Sequence, residues 1–253
     1  MIPKVIYYAW FGGTDEPTSL VNNKKTWSKY LPGYKIVRID ETNFDVNKYS
    51  FTKSAAAEKK WAFVSDLARY VVLFESGGIY LDTDVEIISS IDDLLIGHSF
   101  WALENSNSIN SGLIFAVEKK DNNLKNIIGI YKDLVYTRSS ESQVITTKIV
   151  TPYFTNQGFK KKNKLQRLFD GTIIYPTQYF APYHWWGGGR IWGKTRTIHH
   201  YHASWGVKDK KKVKLSRLKS PYFEQEIMLI SPTLFKCMSK AKKILKQTRG
   251  NHE

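Results

Sequence analysis

Apolar and polar residues follow two different periods along this chain, and the switches between them mark its elements. Residues 2–11, Ile-Pro-Lys-Val-Ile-Tyr-Tyr-Ala-Trp-Phe, are β-branched and aromatic and predict a buried strand ending at Gly12-Gly13. A helix is predicted over 19–30, stopped before Pro32-Gly33, and a second strand over 34–39. This strand–helix–strand opening predicts a sheet of Rossmann-like type. The clearest helix covers 54–76, where Phe63, Leu67, Tyr70, Val71 and Phe74 form one apolar stripe and Gly77-Gly78 supplies the stop. Ile79-Tyr80-Leu81 is then a short strand running into Asp82, and 85–88 resumes the extended pattern. Further strands are expected at 100–104, 112–117, 172–175 and 196–202, and helices near 122–135 and 141–150. No internal repeat is visible.

Composition narrows the class. A chain of 253 residues with 42% hydrophobic and 14% aromatic content can build the sizeable core of one α/β domain. The lone Cys237 excludes an intrachain disulfide and a cysteine metal cage, and fits a reducing compartment. No signal-peptide pattern opens the chain, and no window reaches ~18 apolar residues. A cytoplasmic protein is expected, soluble or peripheral to the inner face of a membrane.

The net charge of +15 predicts an anionic partner, with nucleic acid, an anionic membrane and phosphorylated substrates all in play. The excess is uneven. Residues 206–253 hold 13 Lys/Arg against 4 Asp/Glu, so they are read as a basic helical appendage to a domain over 1–205. The lysines of 208–214 and 240–246 can dock on an anionic membrane at about 1 kcal/mol each, or simply form a solvated helical face.

Five groups of residues carry candidate chemistry. Asp82-Thr83-Asp84 ends a short apolar strand, so its two carboxylates can converge on one hard cation that offsets charge on a departing diphosphate. An isolated Asp-x-Asp is more often a polar turn, and its context decides. Asp66 and Arg69 lie three apart on the preceding helix, on one face. They are either a surface ion pair or a carboxylate and guanidinium aimed at sugar hydroxyls and phosphate. The segment 198–205 holds three of the six histidines. In a strand, His200, His202 and Ser204 share a face, and an imidazole there can complete a metal shell. Trp10 ends the first strand, where it is either a base-stacking platform or a core aromatic. The aromatic, glycine-rich run 184–189 fits an acceptor-sugar platform or a mobile lid.

Together these residues resemble the glycosyltransferase family with a sugar-binding Asp-x-Asp region. It includes bacterial capsular polysaccharide glycosyltransferases, fungal initiating mannosyltransferases and, more distantly, the catalytic domains of large clostridial glucosylating toxins. The matching blocks are Ile2-Pro3-Lys4-Val5-Ile6 through Trp10-Phe11-Gly12-Gly13, then 62–70 (Ala-Phe-Val-Ser-Asp-Leu-Ala-Arg-Tyr), 77–85 (Gly-Gly-Ile-Tyr-Leu-Asp-Thr-Asp-Val) and 198–205. Their order and spacing span roughly residues 1–205, and the central block is far more specific than the bare Asp-x-Asp.

The resemblance implies a GT-A type single α/β domain with a Rossmann-like nucleotide-binding half. It implies a metal-dependent hexosyltransferase with a nucleotide-diphospho-sugar donor, usually UDP-linked, and Mn²⁺ or Mg²⁺. Trp10 corresponds to the base-stacking tryptophan, Asp66 and Arg69 to the pair holding donor-sugar hydroxyls, Asp82 to the ribose- and sugar-contacting acid, and Asp84 to the direct metal ligand. Tyr80 and Asn110 correspond to donor contacts, and Ser204 and Trp205 to the closing pair at metal and β-phosphate. The toxins use an acid for the last metal ligand; here His200 is the nearest match and His202 the second. Retention of configuration is implied too, and no Asp or Glu stands out as the base an inverting enzyme needs. The expected acceptor is a glycan or lipid-linked glycan of a bacterial surface polysaccharide, capsule or lipopolysaccharide. Two other classes compete. A nucleic-acid-binding protein would explain the charge, but no such motif appears and no nucleic-acid partner is expected. A non-catalytic sugar-binding module would explain the aromatic loop, but not Asp66, Arg69 and the acidic pair together.

Overall fold

The computed structural model describes residues 1–105, 107–183 and 189–201, with Ile227, Ser231, Thr233, Leu234, Cys237 and Met238 beyond them. β1 (Val5–Ala9), α1 (Thr18–Tyr30) and β2 (Lys35–Ile39) form the expected opening. The two strands pair in parallel from Val5↔Lys35 to Ala9↔Ile39, because the crossover helix returns the chain to the same end of the sheet.

The single helix predicted over 54–76 is two helices, α2 (Ser50–Ala57) and α3 (Trp61–Ser76). α2 ends where Lys59 takes a φ of 54°. The Lys59 N–H donates to the Ala56 carbonyl and the Lys60 N–H to that of Ala55, a left-handed cap that glycine usually fills. No Gly or Pro marks the break, so the apolar pattern alone does not reveal it. α3 buries Phe63, Val64, Leu67, Tyr70 and Leu73, and Val71 and Phe74 pack at the rim of the same cluster. It stops at Gly77, whose φ is 66° and where an added Cβ would lie 2.7 Å from the Lys119 backbone nitrogen.

The chain continues through β3 (Gly78–Tyr80), β4 (Val85–Ile87), β5 (Ser99–Asn105), β6 (Ser108–Ile109), β7 (Phe115–Val117), α4 (Asn122–Lys132), α5 (Glu141–Val144) and α6 (Thr146–Asn156). β8 (Gln166–Arg167), β9 (Ile173–Tyr175), α7 (Thr177–Phe180) and β10 (Thr197–His199) complete the described elements. The strand predicted over 112–117 begins only at Phe115, because residues 110–113 close a turn, with the Leu113 N–H donating to Asn110. The strand predicted over 196–202 stops at His199, short of Tyr201 at φ 51°. β6 and β8 are too short to show a period.

The main sheet runs β2-β1-β3-β7-β5-β9-β8, with β6 beside β5. β1 is parallel to β2 and β3, and β5 is parallel to β9. Only β7 separates these two sets, antiparallel to β3 and to β5. All five parallel strands therefore end on the same edge of the sheet, where open α/β sheets bind ligands. A separate antiparallel ribbon pairs β4 with β10. This is the α/β layout implied by the resemblance, a parallel Rossmann-like half continued by a mixed half.

Apolar side chains cover both sheet faces. Phe63, Leu67, Tyr70, Trp101 and Phe115 centre one cluster, and Ile6, Trp27, Ile79, Phe100 and Ile114 the other. Contacts divide the chain into two compact units, Met1–Trp205 and Gly206–Glu253. The expected helical character of the basic tail lies outside the described residues, apart from isolated positions. No helix among the described residues is long and apolar enough to cross a membrane.

Candidate functional site

Backbone hydrogen bonds fix the acidic motif before its side chains act. The Leu81 N–H donates to the Tyr7 carbonyl, extending the β1–β3 pairing by one residue, and the Asp82 N–H donates to the Gly112 carbonyl at 2.9 Å. Asp82 and Asp84 then sit in the turn between β3 and β4 rather than in a strand, with the Val85 N–H donating back to Asp82. The β4–β10 register sets Val85 opposite His199. As a result His199 Nε2 lies 2.9 Å from Asp84 Oδ1. One ligand atom from each of Asp82, Asp84 and His199 lies within 4.8 Å of the others. His199 Nδ1 is buried and has no hydrogen-bond partner among the described residues.

This corrects the histidine expectation. His200 turns the other way, with its ring 3.0 Å from Glu86 Oε2 and 37% of its side chain exposed. Parity explains the exchange. Val85, Ile87, Thr197 and His199 face inward in the ribbon, and the Thr197 hydroxyl donates to the Phe180 carbonyl at 3.0 Å. The inward face is therefore that of His199, and His200 contributes only its backbone N–H, donated to the Asp84 carbonyl. His202, the second expected ligand, lies outside the described residues, as do Ser204, Trp205 and residues 184–188.

α3 brings Asp66 and Arg69 to the same place. Arg69 donates one Nη to Asp66 Oδ1 at 2.8 Å and its Nε to the Ser65 carbonyl, and its other Nη lies 3.5 Å from Asp82 Oδ1. Its guanidinium carbon lies 4.5 Å from the centre of the Tyr80 ring, and the Tyr80 hydroxyl donates to Asp82 Oδ1 at 2.9 Å. The two are buried, Asp66 at 9% and Arg69 at 3% exposure, which removes the surface-ion-pair reading. Burial pushes the Asp66 carboxyl up to about 7; Arg69 opposes this and Asp82 adds to it. Burial also works against the charge on Arg69, but Tyr80, Asp82 and Asp66 outweigh it and hold the guanidinium protonated. Burial raises Asp82, with Arg69 opposing and Asp84 adding. His199 is raised overall: burial lowers it, and the Asp84 carboxylate more than offsets that.

The 110–114 turn forms the adjoining wall. Asn110 Oδ1 accepts from the Gly112 N–H at 2.7 Å, and the Tyr70 hydroxyl and Ser111 Oγ are 2.6 Å apart. Gly112 has no room for a side chain, since an added Cβ would lie 2.1 Å from Asp82 Oδ2. Glu104, not foreseen from sequence, joins this wall. Its carboxyl is raised by burial, and nearby His199 and a hydrogen bond from Asn110 oppose the rise. The available signal was a carboxylate near the end of Phe100-Trp101-Ala102-Leu103, an apolar strand reaching the ligand edge.

Trp10 stands at the ends of β1 and β2, half-buried, with its indole N–H donated to the Thr14 carbonyl at 2.8 Å. It lines a pocket of about 460 Å³ with Gly13, Thr14, Asp15, Glu16, Arg38 and Glu41. Glu41 accepts from the Gly12 N–H, and Glu16 is held by the Tyr8 hydroxyl and Lys24. This pocket is separate from the acidic cluster but opens on the same edge of the sheet.

Known proteins resemble this chain over part of its length. The family described as "Glycosyltransferase sugar-binding region containing DXD motif" matches residues 17–101. The initiation-specific alpha-1,6-mannosyltransferase of Candida albicans is 30% identical over 126 residues, which are 46% of this chain and 32% of that protein. Its counterpart in Saccharomyces cerevisiae is 27% identical over 159 residues, 58% of this chain and 28% of that protein. The chain thus spans about a third of the length of each relative. Among solved structures, PaToxG glycosyltransferase aligns with a TM-score of 0.46 at 16% identity, over 61% of this chain and 68% of that one. Residues 17–101, which contain Asp66, Arg69, Asp82 and Asp84, are thus similar to the glycosyltransferase family with the DXD sugar-binding region.

Proposed function

We propose that the protein transfers a hexose from a nucleotide-diphospho-sugar to a glycan or lipid-linked glycan acceptor, using a divalent cation. The observation that carries this reading is the convergence of Asp82, Asp84 and His199 beside the buried Asp66–Arg69 pair. Two carboxylates and an imidazole nitrogen within 4.8 Å of one another suit Mn²⁺, with Mg²⁺ as the harder alternative. Asp84 and His199 are the direct ligands in this proposal, and Asp82 divides its carboxylate between cation and donor. When bound, the cation supplies Lewis-acid stabilisation of the departing diphosphate. Arg69 is a fixed, charged donor toward the sugar and phosphate, held by Asp66 and by the Ser65 carbonyl. The Trp10 pocket accepts the nucleoside, a UDP-linked donor being the first choice.

The relatives' names support a mannose-like hexose and a glycan acceptor. A bacterial surface polysaccharide as the setting rests on the sequence resemblance alone. Retaining transfer is the primary reading, and Glu104 favours a second. As a half-buried carboxyl with raised affinity for protons, beside Asn110 and His199, it is a candidate general base for an inverting reaction. The anomeric configuration of the first product, read by NMR, separates the two.

A panel of nucleotide-sugars with Mn²⁺, read as released UDP or GDP, tests the central claim. Release should require the cation, stop with EDTA, and fall by roughly a hundredfold or more in Asp84→Asn. Undiminished turnover of Asp84→Asn, or in EDTA, would overturn the reading.

A further inference from the structure

The β8 edge of the main sheet carries charge and apolar surface that the site above does not use. Lys160, Lys161, Lys162, Lys164 and Arg167 are all exposed, and none forms an ion pair among the described residues. The one acid of this stretch, Asp170, is taken up by Asn123 and Thr172, each at 2.8 Å. The lysine loop is fastened at its backbone. Gln166 accepts from the Lys160 N–H and donates to the carbonyls of Lys160 and Lys162, at 2.9–3.0 Å. Asn163 exchanges two hydrogen bonds with Thr177, from its side-chain amide to the threonine hydroxyl and from the Thr177 N–H to its own carbonyl oxygen. The backbone is anchored inward, and the ammonium groups are left in solvent.

Apolar surface adjoins these cations. A tight turn, with the Gly171 N–H donating to the Leu168 carbonyl, leaves Phe169 93% exposed at its tip. The Phe169 ring is seated over Gly158, where an added Cβ would lie 2.7 Å from it. Leu165 is 52% exposed between the lysines and the turn. Lysines on an edge strand can guard against edge-to-edge pairing, but that role gives no reason for a bare phenylalanine among them. A nucleic acid would suit the cations and stack on the ring, but offers nothing to the aliphatic Leu165. An anionic bilayer suits all of them. Its headgroups attract the cations, and aromatic and aliphatic side chains enter its interfacial layer.

We propose that the β8 edge is a docking surface for an anionic lipid membrane, with the lysine loop at the headgroups and Phe169 and Leu165 in the interfacial layer. This surface is distinct from the basic 206–253 segment and independent of the catalytic reading. The test is co-sedimentation of the full chain with vesicles of phosphatidylcholine plus phosphatidylglycerol, against phosphatidylcholine alone. Binding is expected only to the anionic vesicles and should weaken with salt. Each Lys→Ala in the loop should lower the partition coefficient roughly fivefold. Phe169→Ser should lower it further, whereas Phe169→Trp should preserve it. Unchanged thermal unfolding of the variants shows that they fold. Four results would overturn the proposal: no binding by the wild-type chain; undiminished binding after Lys160, Lys161, Lys162 and Lys164 all become Ala; loss only when the 208–246 lysines are neutralised; or binding to RNA or duplex DNA but not to vesicles.

Discussion

Gly112→Ala is the sharpest perturbation of the site, because it adds one methyl group and removes nothing. The backbone at Gly112 lies outside the left-handed region, so alanine fits it without strain. The methyl carbon would lie 2.1 Å from Asp82 Oδ2 and 3.1 Å from Asn110 Oδ1. Ordinary contact needs 3.4 Å or more, so the Asp82 carboxylate must retreat by roughly 1 Å. The obstacle is the tip of a side chain, so the fold should survive. The main cost to stability is the weakened bond from the Tyr80 hydroxyl, about 1 kcal/mol. Catalysis should suffer more. A displacement of about 1 Å in a positioning group can cost a hundredfold, equivalent to about 2.7 kcal/mol in kcat/KM. Nucleotide release from the best donor measures the rate, titration with Mn²⁺ the cation affinity, and circular dichroism the fold. Wild-type kcat/KM in a folded Gly112→Ala would refute the placement of Asp82 in the reaction.

Two further predictions follow from particular contacts. His199→Ala should weaken Mn²⁺ binding by about tenfold or more, while His200→Ala should leave it near wild type. The opposite ranking, measured by calorimetry, would restore the parity first read from the sequence. Asp66 carries a stability signature. Its carboxyl is protonated in the folded chain up to about 7 but ionised in the unfolded chain above its ordinary 3.8. The folded state therefore holds the extra proton, and this group's contribution to stability falls as pH rises from about 4 to about 7. Asp66→Asn should flatten that part of the melting-temperature profile; an unchanged slope would count against a buried, protonatable Asp66.

Much of the site was legible in the sequence because its signals were local. The Gly-Gly-Ile-Tyr-Leu lead-in fixed the end of β3, and so where Asp82 emerges. The spacing of Asp66 and Arg69 put both on one helix face, but burial, which sequence spacing does not carry, is what removes the surface-ion-pair reading. The structure turns His199 rather than His200 toward the acidic pair for a nonlocal reason. Strand parity in β10 is set by the pairing of Val85 with His199, over a hundred residues apart. The break at Lys59 was hidden because a lysine occupies a left-handed cap that the apolar stripe runs past. Glu104 was missed because a carboxylate near the end of a strand becomes informative only once Asn110 and His199 are known to surround it.

The reversed strand β7 has a further consequence. A parallel strand offers the ligand edge only the loop that follows it, but β7 runs the other way and offers the loop that precedes it. Residues 107–114 therefore reach Asp82 as the return of a hairpin from β5, with the Gly112 carbonyl accepting from the Asp82 N–H. A hairpin return can change in length and sequence without altering the register of the strands that hold the Asp82–Asp84 turn and α3. The fold thus separates the turn that carries Asp82 and Asp84 from an exchangeable wall beside it. Under the proposed function, grafting this wall between related chains tests whether it sets acceptor choice.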